Sequence, residues 1–129
     1  MDKRRARIIA GTLVGAFVVM RILLHRSPDS DFDVAGYNVH HLFTGLLMLT
    51  AGGIPLALFA GRSLALDAAA VLFGGGLSLA LDEWVYLIVT DGSNASYLLP
   101  VSLWGGAVMI ALATLYIGVL YMVSRRSDD

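Results

Sequence analysis

The stretch 64–90, LALDAAAVLFGGGLSLALDEWVYLIVT, decides the fold: it is apolar for long enough to cross a bilayer, yet it carries adjacent carboxylates at Asp82 and Glu83. A helical span takes about 20 mainly apolar residues. A charge near the bilayer centre costs about 2.5–3.5 kcal/mol on the translocon scale, so intramembrane carboxylates face a bundle interior or a cavity and pair with something. The pair therefore predicts a packed helix with partners for both acids.

Working outward, the chain offers three more runs of this kind, Ile8 to Leu24, Ala35 to Ala60 and Tyr97 to Val123. Of the 129 residues 57% are hydrophobic and 15% charged, whereas a soluble domain carries about 25% charged residues. The expected fold is all-α: a polytopic four-transmembrane-helix bundle forming one membrane domain over 1–129. The basic run Lys3, Arg4, Arg5 and Arg7 precedes the first span, as in a secretory signal. That span is longer than a signal core and His25-Arg26-Ser27-Pro28 has no small-x-small cleavage pattern, so it reads as an uncleaved helix.

Lys and Arg collect on cytoplasmic flanks. An N-in/C-in arrangement places Lys3, Arg4, Arg5, Arg7, Arg62, Arg125 and Arg126 inside and leaves Arg21 and Arg26 toward the outside, with Asp29, Asp31, Asp33 and Asp91. Zero Cys excludes disulfides, thiolate metal sites and Cys nucleophiles. The basic residues sit at chain ends without interleaved aromatics, which gives no support to nucleic-acid binding.

Capping chemistry sets the expected boundaries. Ser63 suits the N-cap of the third span, with Asp67 at its positive dipole end. Gly61 suits the C-terminal turn of the second. Gly61-Arg62-Ser63 then makes a tight hairpin with the second and third spans as antiparallel neighbours. Ser96 is expected to cap the fourth span, Pro100 to lie in its first turn and Pro55 to kink the second. The segment around Ser27-Pro28-Asp29-Ser30-Asp31 reads as turns, and Asn94-Ala95-Ser96 is a glycosylation sequon of low specificity.

Membrane helices associate through close packing at small residues. Gly45, Gly52 and Gly53, the Gly74-Gly75-Gly76 run with Ser78, and Gly105-Gly106 mark such faces; Gly11 and Gly15 form a GxxxG pair, expected to pack within the chain rather than between copies. At helical spacing Gly75, Ser78, Asp82 and Tyr86 share one stripe, and Glu83 lies about 100° around from Asp82. On the second span His41 aligns with Gly45, Met48 and Gly52, and His40 with Thr44 and Ala51, making His41 the better interior candidate.

The candidate buried polar cluster is Arg21, His41, Ser78, Asp82, Glu83 and Tyr86. Heights match if Asp33 caps the second span and Val34 begins it; a helix starting near Tyr37 would leave His41 too shallow. Three readings follow. In the main one the cluster is structural, with Arg21 or a histidine neutralising Asp82 and Glu83 bonded to Tyr, Trp or Thr. In the second, His40, His41, Asp82 and Glu83 supply ligands for a divalent transition metal, although consecutive pairs put only one of each pair on a helix face. In the third, a histidine beside carboxylates serves proton- or ion-coupled transport. Four helices leave little room for a private path, so transport implies a homo-oligomer. Ser78, Ser102 and Thr44 sit in no nucleophile-elbow pattern, and the glycine run lacks a P-loop ending. Enzymatic activity is not expected, and the expected partners are the lipid bilayer and further copies of the chain.

The runs His40-His41-Leu42-Phe43-Thr44-Gly45 and Gly74-Gly75-Gly76-Leu77-Ser78-Leu79-Ala80-Leu81-Asp82-Glu83 resemble those of small prokaryotic four-span membrane proteins of unassigned function, which pair His-His on the second span with a Gly-rich run ending in Asp-Glu on the third. The resemblance implies a prokaryotic cytoplasmic membrane. It brings no activity, cofactor or substrate with it.

Overall fold

A computed structural model of the chain describes residues 1–27, 33–34, 37–38 and 40–126. Five helices follow in order: α1 (Lys3–Arg26), α2 (His41–Leu58), α3 (Leu64–Val89), the single-turn α4 (Asn94–Tyr97) and α5 (Pro100–Arg126). Between α1 and α2 the backbone of β1 (Asp33–Val34) pairs antiparallel with β2 (Tyr37–Asn38) in register Asp33↔Asn38 and Val34↔Tyr37. The helices α1, α2, α3 and α5 are each long and apolar enough to cross a membrane. The turns expected at 28–31 lie outside the described residues.

Helix α3 is the hub. It packs against α2, α1 and α5, and its contact with α2 is the most extensive in the molecule. Buried positions consequently run round most of α3, from Leu66 and Ala70 through the glycine run to Tyr86, whereas α2 buries little beyond Gly45 and Gly52. Close backbone approach explains the small residues. A Cβ on Gly45 would stand 2.6 Å from the Gly76 carbonyl oxygen, and one on Gly76 would stand 2.6 Å from the Gly45 carbonyl oxygen. Each glycine is the space into which the other's backbone fits. The hairpin neighbours expected from Gly61-Arg62-Ser63 are therefore present, with Gly61 at φ 93° just beyond the end of α2.

Ser63 caps α3 as expected, its Oγ accepting from the Leu66 N–H at 3.2 Å. At the same end Asp2 caps α1, accepting from the N–H groups of Arg4 at 2.9 Å and Arg5 at 3.2 Å. Arg4 pairs with Asp67 at 2.7 Å and the Arg5 guanidinium donates to the Gly61 carbonyl, which ties the start of α1 to the α2–α3 hairpin.

Three expectations need correction. The second span begins at His41, not at Val34 or Ala35, because Asp33–Val34 and Tyr37–Asn38 pair as the small ladder and α2 finds its cap elsewhere. The fourth span begins at Pro100 rather than Tyr97, and the capping side chain in this region is Ser93, which caps α4; Ser96 lies within that turn. Proline at the first position of α5 lacks an N–H that would have gone unused there. Finally, Gly11 and Gly15 do not pack within the chain: a Cβ at either would meet nothing within 4 Å.

Candidate functional site: a buried Arg–Asp and His–Glu network

Asp82 and Glu83 are 1% and 2% exposed. Being consecutive on a helix they leave α3 in different directions, and each finds a different neighbour.

Asp82 points toward α1 and α5. Its Oδ1 accepts from Arg21 Nη2 at 2.5 Å and Nε at 2.8 Å, and its Oδ2 accepts from the Tyr97 hydroxyl. The Arg21 guanidinium also donates to the Ser102 carbonyl at 3.0 Å, to Ser102 Oγ at 3.2 Å and to the Tyr97 carbonyl at 3.3 Å. Its carbon lies 4.2 Å from the Tyr97 ring centroid and 5.6 Å from that of Phe17, within cation–π range. Arginine suits this position because its planar fork carries several donors while staying charged. Gly106 makes the room: a Cβ there would stand 2.6 Å from Asp82 Oδ1 and 3.1 Å from Arg21 Nη2. Burial, and then the Asp82 charge, raise the Tyr97 phenol above its ordinary pKa, so it remains a donor.

Glu83 points toward α2. Its Oε2 accepts the Leu42 backbone N–H at 2.7 Å. The residue in the cap position of α2, His40, makes no side-chain cap bond, so the carboxylate of another helix does that work. A helix start carries unpaired N–H groups and partial positive charge, and an anion there satisfies both. Glu83 Oε1 lies 3.3 Å from His41 Nε2 and 3.4 Å from His40 Nδ1. His41 Nε2 is also 3.8 Å from Asp82 Oδ2 but meets hydrogen-bond geometry with neither acid. The imidazole thus stands between the two carboxylates.

Rings close the cluster. His41 meets Tyr97 edge-on with centroids 5.3 Å apart, Tyr97 meets Tyr86 in the same way at 5.3 Å, and His40 meets Tyr86 at 6.0 Å. Tyr86 donates its hydroxyl to the Ser93 carbonyl at 2.9 Å. Ser93 and Ser96 in turn donate to Asp91, whose exposed carboxyl is held down to about 2, first by the Ser96 hydroxyl and then by the Ser93 N–H and hydroxyl.

Of the residues expected in the cluster, Arg21, His41, Asp82 and Glu83 come together. Tyr86 borders it through its ring. Ser78 is fully buried one turn before Asp82, and its Oγ has no hydrogen-bond partner among the described residues. Where a Tyr, Trp or Thr donor was expected for Glu83, its carboxylate accepts from the start of α2 and is hydrogen-bonded to His40. Tyr97, which the sequence places toward the same end of the bundle, joins the network, and Ser102 is a member that the sequence did not assign. The Ser102–Gly106 pair, four residues apart on α5, is the signal that marks this small polar face. His40, His41, Asp82 and Glu83 lie near one another, but among the described residues no group of three or more His, Cys, Asp or Glu is arranged to hold a metal ion. Both Asp82 oxygens and Glu83 Oε2 already accept from the protein, and Glu83 Oε1 is hydrogen-bonded to His40 Nδ1 at 3.4 Å.

Fold and site together define an all-helical bundle, with four helices long enough to span a membrane, built round a buried polar network. No protein-family model, curated protein or solved structure matches the chain.

Proposed function

We propose that this chain is a multi-pass protein of a prokaryotic cytoplasmic membrane, with both termini inside, and that its buried network is an assembly core. In lipid no hydrophobic force drives apolar helices together, so packing at small residues and interhelical polar contacts must hold them. One observation carries the reading: the Asp82 carboxylate is completed by groups from outside α3, Arg21 of α1 and Tyr97 of α4. The same guanidinium continues to Ser102 of α5, and Glu83 binds the start of α2. Every long helix is therefore joined to α3 by a charge-assisted bond, either directly or through Arg21. The basic flanks favour the orientation, and the likeness of segments 40–45 and 74–83 to small prokaryotic four-span proteins favours the membrane.

The test is to purify the protein in mild detergent and measure bound metals and helix content for wild type, His41→Ala and Asp82→Ala. The assembly reading expects metal-free protein throughout, with Asp82→Ala markedly less stable to heat. Stoichiometric metal in wild type that both substitutions abolish would contradict it and establish metal binding.

A second reading rests on His41, whose buried Nε2 lies within 4 Å of both carboxylates without a hydrogen bond. A proton arriving there would be shared with Glu83, as a relay in an ion-coupled oligomer requires. Proton flux in liposomes that disappears in Asp82→Asn would favour this reading over pure assembly, and absence of flux in wild type would remove it.

A further inference from the structure

At the end of the bundle away from the chain termini, the last turns of α1 and the first turn of α5 frame a groove of about 670 Å³. Its α1 side carries Arg21, His25 and Arg26, and its α5 side carries Leu103 and Trp104. The charged side chains on the described part of its wall are all basic. No Asp or Glu lines it among the described residues, and the first turn of α5 contains no acidic residue, leaving the positive end of that helix dipole unopposed. Arg21 spends its charge on Asp82, whereas His25 and Arg26 are exposed and have no ion-pair partner among the described residues.

The groove is also amphipathic. Ile22 and Leu103 supply apolar walls, and Trp104, 68% exposed, lies beside the basic rim where an interfacial aromatic side chain sits at headgroup level. His25 and Arg26 do complement the C-terminal dipole of α1. That role does not account for the apolar side chains of Ile22 and Leu103 that line the groove beside them. A basic rim beside an apolar trough, at the ends of two helices long and apolar enough to cross a membrane, fits one ligand chemistry.

We infer that the α1–α5 groove binds an anionic glycerophospholipid, its phosphate against His25 and Arg26 and the upper part of an acyl chain along Ile22, Leu103 and Trp104. A zwitterionic headgroup brings its own ammonium to the same rim and cancels part of the attraction, so selectivity for the anionic class follows from the wall charge. This inference is independent of the assembly role of the network, because His25 and Arg26 take no part in it.

The test uses the full chain with Trp84→Phe, which leaves Trp104 as the only tryptophan. Quenching of its fluorescence is titrated with brominated phosphatidylglycerol and brominated phosphatidylcholine in mixed vesicles, and again with inorganic phosphate as competitor. The expected result is a several-fold preference for phosphatidylglycerol, falling by about fivefold in Arg26→Gln and falling also in His25→Gln. Arg125→Gln, at the opposite end, should leave the preference intact. Melting temperatures identify any variant that fails to fold, and for such a variant high salt, which should abolish the preference in the parent protein, supplies the same test. Equal quenching by the two lipids, or a preference unchanged by Arg26→Gln or by salt, overturns the proposal. Displacement of phosphatidylglycerol by millimolar phosphate alone would overturn the lipid assignment and leave a simple anion site.

Discussion

Glu83 and Leu42 stand in the relation of cap and helix start although they belong to different helices: the carboxylate of α3 accepts the first-turn N–H of α2 at 2.7 Å. The consequence is geometric. Glu83 lies six residues before the end of α3, about 9 Å down that helix at 1.5 Å per residue, and α2 begins at that level. An 18-residue α2 can therefore pair with a 26-residue α3 with the Leu42 N–H of its first turn satisfied.

Glu83→Ala removes that cap and should expose the start of α2. Loss of a cap costs about 0.5–2 kcal/mol, and the buried amide left behind adds to it. Hydrogen exchange at Leu42 and its first-turn neighbours should accelerate, while exchange in the middle of α3 changes far less. Glu83→Gln keeps an acceptor oxygen and should show a smaller effect at the same amides.

Glycines at the two kinds of position should respond in opposite ways to the same substitution. At Gly52 a Cβ would overlap the Ala69 carbonyl and stand 2.6 Å from the Phe73 N atom, so Gly52→Ala must push α2 off α3. Overpacking of this kind costs about 1–3 kcal/mol. Gly11 meets nothing, and Gly11→Ala should be neutral or stabilising by up to about 1 kcal/mol, since alanine favours a helix. Thermal melts of the two variants in one detergent give the comparison.

Asp91 predicts a pH response confined to the α3–α4 turn. Its folded pKa is depressed to about 2 from 3.8 by hydrogen bonds that favour the carboxylate, from Ser96 first and then Ser93. A depressed acid contributes its stabilisation fully above its unfolded value, and that contribution is lost as pH falls through the folded one. The Ser93 and Ser96 amides should therefore hold their exchange protection at pH 5 and lose it progressively from about pH 4 to pH 2. Asp91→Asn should flatten that dependence.

How much of this could be read from residues alone differs between the hub and its neighbours. Helix α3 was legible almost to the residue, since its apolar length, the Ser63 cap and the buried acids all point the same way. The start of α2 was not, because its cap lies 41 positions further along the chain at Glu83, and no local signal near His41 announces it. The depth reasoning assumed that hairpin neighbours begin at one surface; α2 instead starts lower, and His41 reaches the acids from a helix that begins with it. Arg21 was expected as a partner of Asp82 and is one. Its continuation to Tyr97 and Ser102 depends on how α4 and α5 turn over the bundle, a tertiary matter that periodicity does not encode. The outward GxxxG face of α1 has the same cause: spacing identifies a smooth face, not what covers it.

The central claim is that Arg21 and Asp82 hold the bundle as a pair, and a double-mutant cycle of Arg21→Leu and Asp82→Leu, measured by reversible unfolding in detergent, tests it most directly. Each single variant leaves one uncompensated charge inside the protein, at about 3–5 kcal/mol, whereas the double variant leaves neither. The account predicts a double variant clearly more stable than either single one, with a coupling of about 2 kcal/mol or more. Additive losses, with the double variant the least stable of the set, would contradict it.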